Sequence, residues 1–299
     1  MRSDPLARPV PADCGAVGKR GGLIHWSAEA IWEAVSPSLP GFSVEVLPEI
    51  DSTNTELMRR ARAGQTDAVL LVAKRQTAGR GRLGRQWFSG NEPCAENKGT
   101  AVLAPDDAGR IQLQSSLTFS LGLPLAPQDW SGLSLAVGLA LVESLHPDLQ
   151  LKWPNDLWLQ GRKLGGVLIE TASFGELRYV VVGTGINITP RNGQGLSTPP
   201  AALSEVLPDI DAAAALARVM LPLVRAVQRF ETEGFGPLRA AFHTRDFLYG
   251  KEILCSDGTA GIARGVDATG ALLVHTESGL KKITSAEVSV RPAPFTQAQ

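Results

Sequence analysis

Residues 76–90 read Gln76-Thr77-Ala78-Gly79-Arg80-Gly81-Arg82-Leu83-Gly84-Arg85-Gln86-Trp87-Phe88-Ser89-Gly90. Glycines alternate with arginines directly after the apolar run 68–74 and directly before an aromatic pair. Gly79, Gly81 and Gly84 let the backbone turn and approach a ligand closely. Arg80, Arg82 and Arg85 carry fixed charge in a fork geometry that fits phosphate and carboxylate oxygens. Trp87 and Phe88 add flat apolar surface beside that charge. The run 68–74 reads as a buried strand feeding the loop, so the segment predicts a domain that holds a small anion bearing a ring.

The rest of the chain bounds this reading. At 299 residues it has room for one large domain and a small one. Hydrophobic residues make up 43% and charged residues 20%, a composition that buries a core and does not stay disordered. The formal net charge of −1 makes the cationic loop a local feature and argues against general binding to nucleic acid or a membrane surface. Cys14, Cys94 and Cys255 are too scattered for a disulfide framework or a zinc site, and His25, His146, His243 and His275 form no ligand pair. Residues 1–22 lack the apolar stretch of a secretory signal, and no run is long enough to span a bilayer. A cytoplasmic protein is expected.

Outward from the loop, 1–22 reads as a flexible leader, 24–35 as a helix and 42–47 as a strand. Thr53 and Glu56 have the spacing of a capping box for a helix that stops near Gly64. The polar segment 91–112 reads as a surface excursion, 115–125 as a strand and 130–146 as a core helix. Segments 157–160 and 163–171 flank Gly161-Arg162 as a hairpin, and 177–188 is a further strand. Asp211 caps a long helix to 233 with Pro222 inside it, and a short helix covers 237–243. Short β-like runs at 253–256, 261–266, 271–276 and 281–290, separated by glycine turns, read as a small all-β barrel. The fold class is α+β followed by a small β domain.

Four further segments carry chemistry. Lys152-Trp153-Pro154-Asn155-Asp156 places a cation, an aromatic, an amide and a carboxylate between two strands. Lys152 is suited to a phosphate, Asn155 to a base edge or a backbone contact, and Asp156 to Mg²⁺ or to orienting a nucleophile. As a plain structural element the same segment is a bend with a core tryptophan. Lys163 is suited to a carboxylate or phosphate, and Gly165-Gly166 lets a ligand lie against the strand. Gly183-Thr184-Gly185-Ile186-Asn187-Ile188 lacks the third glycine and helix of a dinucleotide fingerprint, and no P-loop lysine follows. Asp51-Ser52-Thr53-Asn54 is what a helix start needs in any case.

Taken in order, Ser52-Thr53-Asn54, the glycine-arginine loop to Trp87, Lys152–Asp156, Arg162-Lys163-Leu164-Gly165-Gly166-Val167-Leu168-Ile169-Glu170 and Gly183–Ile188 together resemble the biotin–protein ligases. Residues 261–273 also look like the C-terminal domain of that family. The resemblance implies a mixed-sheet biotin/lipoate-ligase-type catalytic domain over 41–247 and an SH3-like β-barrel over 248–293. A leader with one helix (1–40) and a tail (294–299) complete the chain. It also implies a biotin–[acetyl-CoA-carboxylase] ligase that uses biotin, ATP and Mg²⁺. Biotin is activated as biotinyl-5′-AMP and passed to a lysine of the biotin carboxyl carrier protein.

By motif position, Ser52, Thr53, Asn54 and Gln76 are expected at the ureido end of biotin, with Gly166 alongside. Arg80, Arg82 and Lys163 are expected at its carboxylate and the phosphates, with Lys163 the first choice as catalytic residue and Arg82, Arg80 and Lys152 catalytic beside it. Arg80, Arg82, Arg85, Trp87, Lys152, Asn155, Asn187 and Arg264 are expected around ATP, and Asp156 at the metal. Little but a leader and one helix precedes this core, which leaves no room for the winged helix-turn-helix of regulatory members. No DNA or membrane partner is expected, and the chain is expected as a monomer or homodimer. The segment 91–112 departs from the family pattern beside the nucleotide site. A lipoate ligase is the alternative within enzymes, and a nucleic-acid-binding regulator the alternative outside them.

Overall fold

A computed structural model describes residues 26–89, 114–191, 193, 198–284 and 290–292. The leader to residue 25 and the excursion 91–112 lie outside the described residues. The chain runs α1 (Ala28–Val35), β1 (Ser43–Ile50), α2 (Thr53–Arg62), β2 (Val69–Gln76), β3 (Ser116–Pro124), α3 (Leu133–Leu145) and β4 (Leu149–Lys152). It continues through β5 (Asp156–Leu159), β6 (Arg162–Phe174), β7 (Leu177–Asn187), α4 (Ala212–Glu233) and α5 (Arg239–Arg245). It ends in β8 (Glu252–Cys255), β9 (Ala260–Val266), β10 (Leu272–Thr276), β11 (Gly279–Ile283) and β12 (Val290–Pro292).

The first seven strands form one sheet in the order β1-β2-β3-β7-β6-β5-β4. β1 and β2 are parallel and the other neighbours antiparallel, so the sheet is mixed. Its strands alternate between two buried faces. On one face Leu70, Val72, Leu117, Phe119, Leu121, Val180, Val182 and Ile186 join the main core with α3 and α4. On the other, Leu71, Tyr179 and Val181 pack under Leu57, Met58 and Ala61 of α2.

That second face changes character along β7, where Tyr179 and Val181 give way to Gly183 and Gly185. Across the register, Gly183 sits opposite Ser120 and Leu168, and Gly185 opposite Thr118 and Gly166. Bulk is thus removed from one end of this face, and a cavity opens there.

The last five strands form an antiparallel sheet, β11-β10-β9-β8-β12. Its inner residues, among them Ile253, Cys255, Val266, Leu272 and Val274, are continuous with the main core. Trp153 Nε1 donates to the Gly270 carbonyl at 3.0 Å and ties the two sheets together.

Three expectations need correction. The N-cap of α2 is Ser52, whose hydroxyl accepts from Thr55 N, and not Thr53. Thr53 is drawn instead to Gln76, and Glu56 is taken by Arg59 and Arg60, so no reciprocal capping pair forms. The hairpin turn is Gln160-Gly161, both at positive φ, with Arg162 already in β6. The run 281–290 is two strands, because β11 ends at Ile283 and β12 begins at Val290. Asp211 caps α4 as expected, its carboxylate accepting from Ala214 N at 2.7 Å, and the helix runs on through Pro222.

Candidate functional site

The cavity at the glycine-floored end of the sheet has a volume of about 290 Å³. One end is built by the start of α2. Thr53 donates its backbone N–H and hydroxyl to Gln76 Oε1 at 2.7 and 3.1 Å. Ser120 reaches Thr53 Oγ1 at 2.7 Å and Asn54 Oδ1 at 2.6 Å, while Asn54 Nδ2 donates to Glu170 at 2.9 Å and to the Leu168 carbonyl at 3.3 Å. Ser52, Thr53, Asn54 and Gln76 are all buried. Such a pre-ordered set of short donors and acceptors fits a compact polar group with one carbonyl and two N–H groups.

The glycines are sterically required here. A Cβ on Gly183 would overlap the Asn54 amide, and one on Gly185 would overlap the Trp87 indole. Overpacking of this kind costs ~1–3 kcal/mol. Gly183→Ala is therefore expected to weaken binding of the small ligand at this end by about tenfold or more, measured by calorimetry. Unchanged affinity would show that Asn54 is not part of the binding set.

The opposite end is cationic. Among the described residues, Arg82, Arg85, Lys152, Lys163, Arg191 and Arg291 line it with one carboxylate, Asp156, while Arg80 lines the cavity nearer the first end, where it shares Glu170 with Asn54. The glycine-arginine loop folds back on itself: Trp87 N donates to the Gly79 carbonyl at 2.9 Å and Gly81 N to the Arg85 carbonyl at 2.7 Å. A short 3-10 turn, Arg82–Gly84, forms its tip, with Leu83 at φ 56° and Gly84 at φ 69°. Ser89 anchors the base by accepting from Gln76 N at 2.6 Å. Arg80 meets Glu170 at 3.1 Å, and Arg82 donates to Asn155 Oδ1 at 3.4 Å. Burial pulls the Arg82 guanidinium below the usual arginine range.

Lys163 and Asp156 face each other across β5 and β6 at 2.6 Å. Asn155 holds the bend by donating to the Val167 carbonyl at 2.7 Å, and Ser134 of α3 donates to the Pro154 carbonyl at 3.0 Å. Asn187 Nδ2 donates to the Ala201 carbonyl at 2.9 Å, and its buried Oδ1 has no partner among the described residues.

Burial, together with Lys163, Arg291 and Arg85, pulls the Lys152 ammonium down to about 8 despite the opposing pull of Asp156. Affinity for an anion at this end is expected to fall as pH rises through about 8, because the neutral amine no longer attracts it. Lys152→Arg stays charged and removes that limb. A limb unchanged in this variant, read from pH-dependent nucleotide affinity, assigns the titration to another group.

The structure brings Ser52, Thr53, Asn54, Gln76, Arg80, Arg82, Arg85, Trp87, Lys152, Asn155, Asp156, Lys163, Gly166 and Asn187 to one cavity. Arg264 is the exception. It lies exposed on β9, and the arginine the small sheet contributes is Arg291 of β12, with Val290 beside it. Sequence reasoning also missed Thr118, whose buried hydroxyl has no partner among the described residues, and Arg191, whose guanidinium lies 5.8 Å from the Trp87 ring centroid. The strict alternation of small polar and large apolar residues over 116–123 was the available signal for Thr118. No group of three or more His, Cys, Asp or Glu side chains able to hold a metal occurs among the described residues. Asp156 alone fits an ion that arrives with phosphates, since Mg²⁺ commonly uses one or two carboxylates plus phosphate oxygens.

Comparison with known proteins matches residues 46–187 to the biotin/lipoate A/B protein ligase family and residues 253–291 to the biotin protein ligase C-terminal domain. The bifunctional ligase/repressor BirA of Escherichia coli is 34% identical over 270 residues, covering 85% of this chain and 76% of the relative. The biotin–[acetyl-CoA-carboxylase] ligase of Paracoccus denitrificans is 33% identical over 252 residues, covering 81% and 98%. A solved structure of the Aquifex aeolicus biotin protein ligase with biotin and ATP superposes with a TM-score of 0.65 at 28% identity, covering 84% of this chain and 99% of that one.

Proposed function

Since the chain belongs to the biotin–protein ligase family, we propose the following course for its reaction and the following roles for its residues. It is an ATP-dependent ligase that activates biotin as biotinyl-5′-AMP and transfers it to a lysine of the biotin carboxyl carrier protein of acetyl-CoA carboxylase. The observation that carries this reading is the polarity of one cavity. A buried amide-and-hydroxyl network closes one end, and among the described residues seven cationic side chains line the cavity with one carboxylate, six of them away from that network, in a chain of net charge −1.

In the first step a biotin carboxylate oxygen attacks the α-phosphorus of ATP, the bond to the bridging oxygen breaks, and pyrophosphate leaves. Two anions must meet, so fixed cations that stabilise the developing charge lower the barrier. Ser52, Thr53, Asn54 and Gln76 hold the ureido ring, which aims the carboxylate at the cationic end. Lys163 lies where carboxylate and α-phosphate converge, steadied by Asp156. Arg80, Arg82 and Arg85 cover the phosphates and exclude water. Lys152 and Arg291 bind the leaving phosphates, and Trp87, Asn155 and Asn187 flank the nucleoside. Asp156 would hold a magnesium ion arriving with the triphosphate, and that ion would supply further charge neutralisation. In the second step the neutral carrier lysine amine attacks the acyl carbon, AMP departs with the electron pair of the broken acyl–oxygen bond, and the new amide nitrogen gives up its proton to solvent.

The test is pyrophosphate exchange into ATP, followed by transfer to an apo carrier domain. Exchange is expected only with biotin present, and transfer only to the domain carrying its acceptor lysine. Exchange supported by lipoate and not by biotin would overturn the substrate assignment.

A further inference from the structure

Lys152 presents an unusual arrangement behind the cavity. Its side chain is half-buried in the wall of the site, and among the described residues it makes no ion pair. Its partner is the face of Trp158, with Nζ 4.8 Å from the ring centroid. Trp158 is stacked in turn on Phe247, centroids 4.4 Å apart and planes inclined by 28°, and Lys251 Nζ lies 3.3 Å from the Phe247 centroid. The result is a run of cation, ring, ring and cation.

Its members come from β4, β5 and the connection between α5 and β8. Trp158 is 4% exposed and does not line the cavity, so it acts only through what it touches. Its buried Nε1 has no hydrogen-bond partner among the described residues, which leaves the π face and its bulk as what the ring contributes. Lys163, Arg85 and Arg291 crowd the same cavity and repel Lys152, while Asp156 attracts it. An ammonium in that company has no carboxylate of its own to fix its direction, and an electron-rich ring face fixes it instead.

We propose that Trp158, stacked on Phe247, is a positioning residue that holds the Lys152 ammonium toward the phosphates of ATP. The proposal rests on the reading of Lys152 as a phosphate contact and adds the residue that makes that contact effective. It also ties the nucleotide end of the cavity to the joint with the small sheet, because Phe247 N donates to the Leu151 carbonyl at 2.9 Å, next to Lys152.

The test is a double-mutant cycle on full-length protein, reading KM for ATP, kcat and biotin affinity separately. Lys152→Ala is expected to raise KM for ATP. Trp158→Leu is expected to raise it by about three- to thirtyfold, the equivalent of a desolvated cation–π contact, with biotin affinity within twofold of the parent. Trp158→Phe, which keeps an aromatic face, is expected to restore most of the loss. In the Lys152→Ala background, Trp158→Leu is expected to add nothing, since coupled residues are not additive. Additive losses in the cycle, or equal losses in the Leu and Phe variants, overturn the proposal and leave Trp158 a core filler. No change in KM for Lys152→Ala overturns the Lys152 reading itself. If Trp158→Leu does not fold, Trp158→Met keeps the bulk without the ring face and enters the same cycle with the same outcomes.

Discussion

Arg82→Gly is expected to synthesise biotinyl-5′-AMP and fail to keep it. Arg82 stands at the tip of the folded loop, half-buried, and reaches Asn155 on the far wall at 3.4 Å, so it closes the cavity between loop and bend. A hydrogen bond to a charged group contributes about 1.5–3 kcal/mol, so its loss corresponds to roughly a ten- to hundredfold faster release of the adenylate. The added glycine also loosens the tip, where Gly81 and Gly84 already leave the backbone free to move. The ureido end is untouched, so whatever biotin affinity is lost comes from the carboxylate end alone. Released acyl adenylate acylates amines without selection, and bystander proteins should become labelled. The measurement is the fraction of adenylate still bound after rapid gel filtration, together with labelling of an unrelated lysine-rich protein. Retention equal to the parent would sink the shielding role.

Lys163→Gln is expected to lower kcat for pyrophosphate exchange by about a hundred- to a thousandfold, the usual cost of removing one group that stabilises transition-state charge. Its stability effect should be small. The Lys163–Asp156 pair leaves the lysine side chain 34% exposed, and pairs that reach solvent are worth ~0–1 kcal/mol. The variant should therefore melt close to the parent while its rate collapses. Asp156 loses its partner and adds an uncompensated negative charge beside two anionic substrates, which acts in the same direction. A variant within threefold of the parent in kcat would remove Lys163 from the chemistry.

Much of the site was legible because its residue types are unusual in combination. The alternation of glycine and arginine over 79–85 and the mixed chemistry of 152–156 stand out in a chain of ordinary composition. What stayed hidden has a common cause. Arg291 is one of 29 Lys and Arg residues, set in an unremarkable short strand, and only the sheet order places β12 at the cavity while β9 carries Arg264 away from it. Glu56 satisfies the capping spacing, yet two arginines on its own helix compete for it and win. Trp158 reads as one core aromatic among many, since its partner Phe247 is distant in sequence.

By itself the sequence determined where most strands and helices lie to within a few residues, though not β4 or the break between β11 and β12, together with which chemistry each motif can perform and the order of motifs that marks the family. These follow from local properties: the period of apolar residues, the torsional freedom of glycine, and the charge of a side chain. Only the tertiary structure decided which of those motifs face one another. Gly183 meets Asn54, Gly185 meets Trp87, and Asn54 reaches Glu170 through strand register, and a register is fixed by packing both faces of the sheet at once. The cavity is thus a property of the sheet face, where small residues from β3, β6 and β7 coincide, and no single segment of the chain contains it.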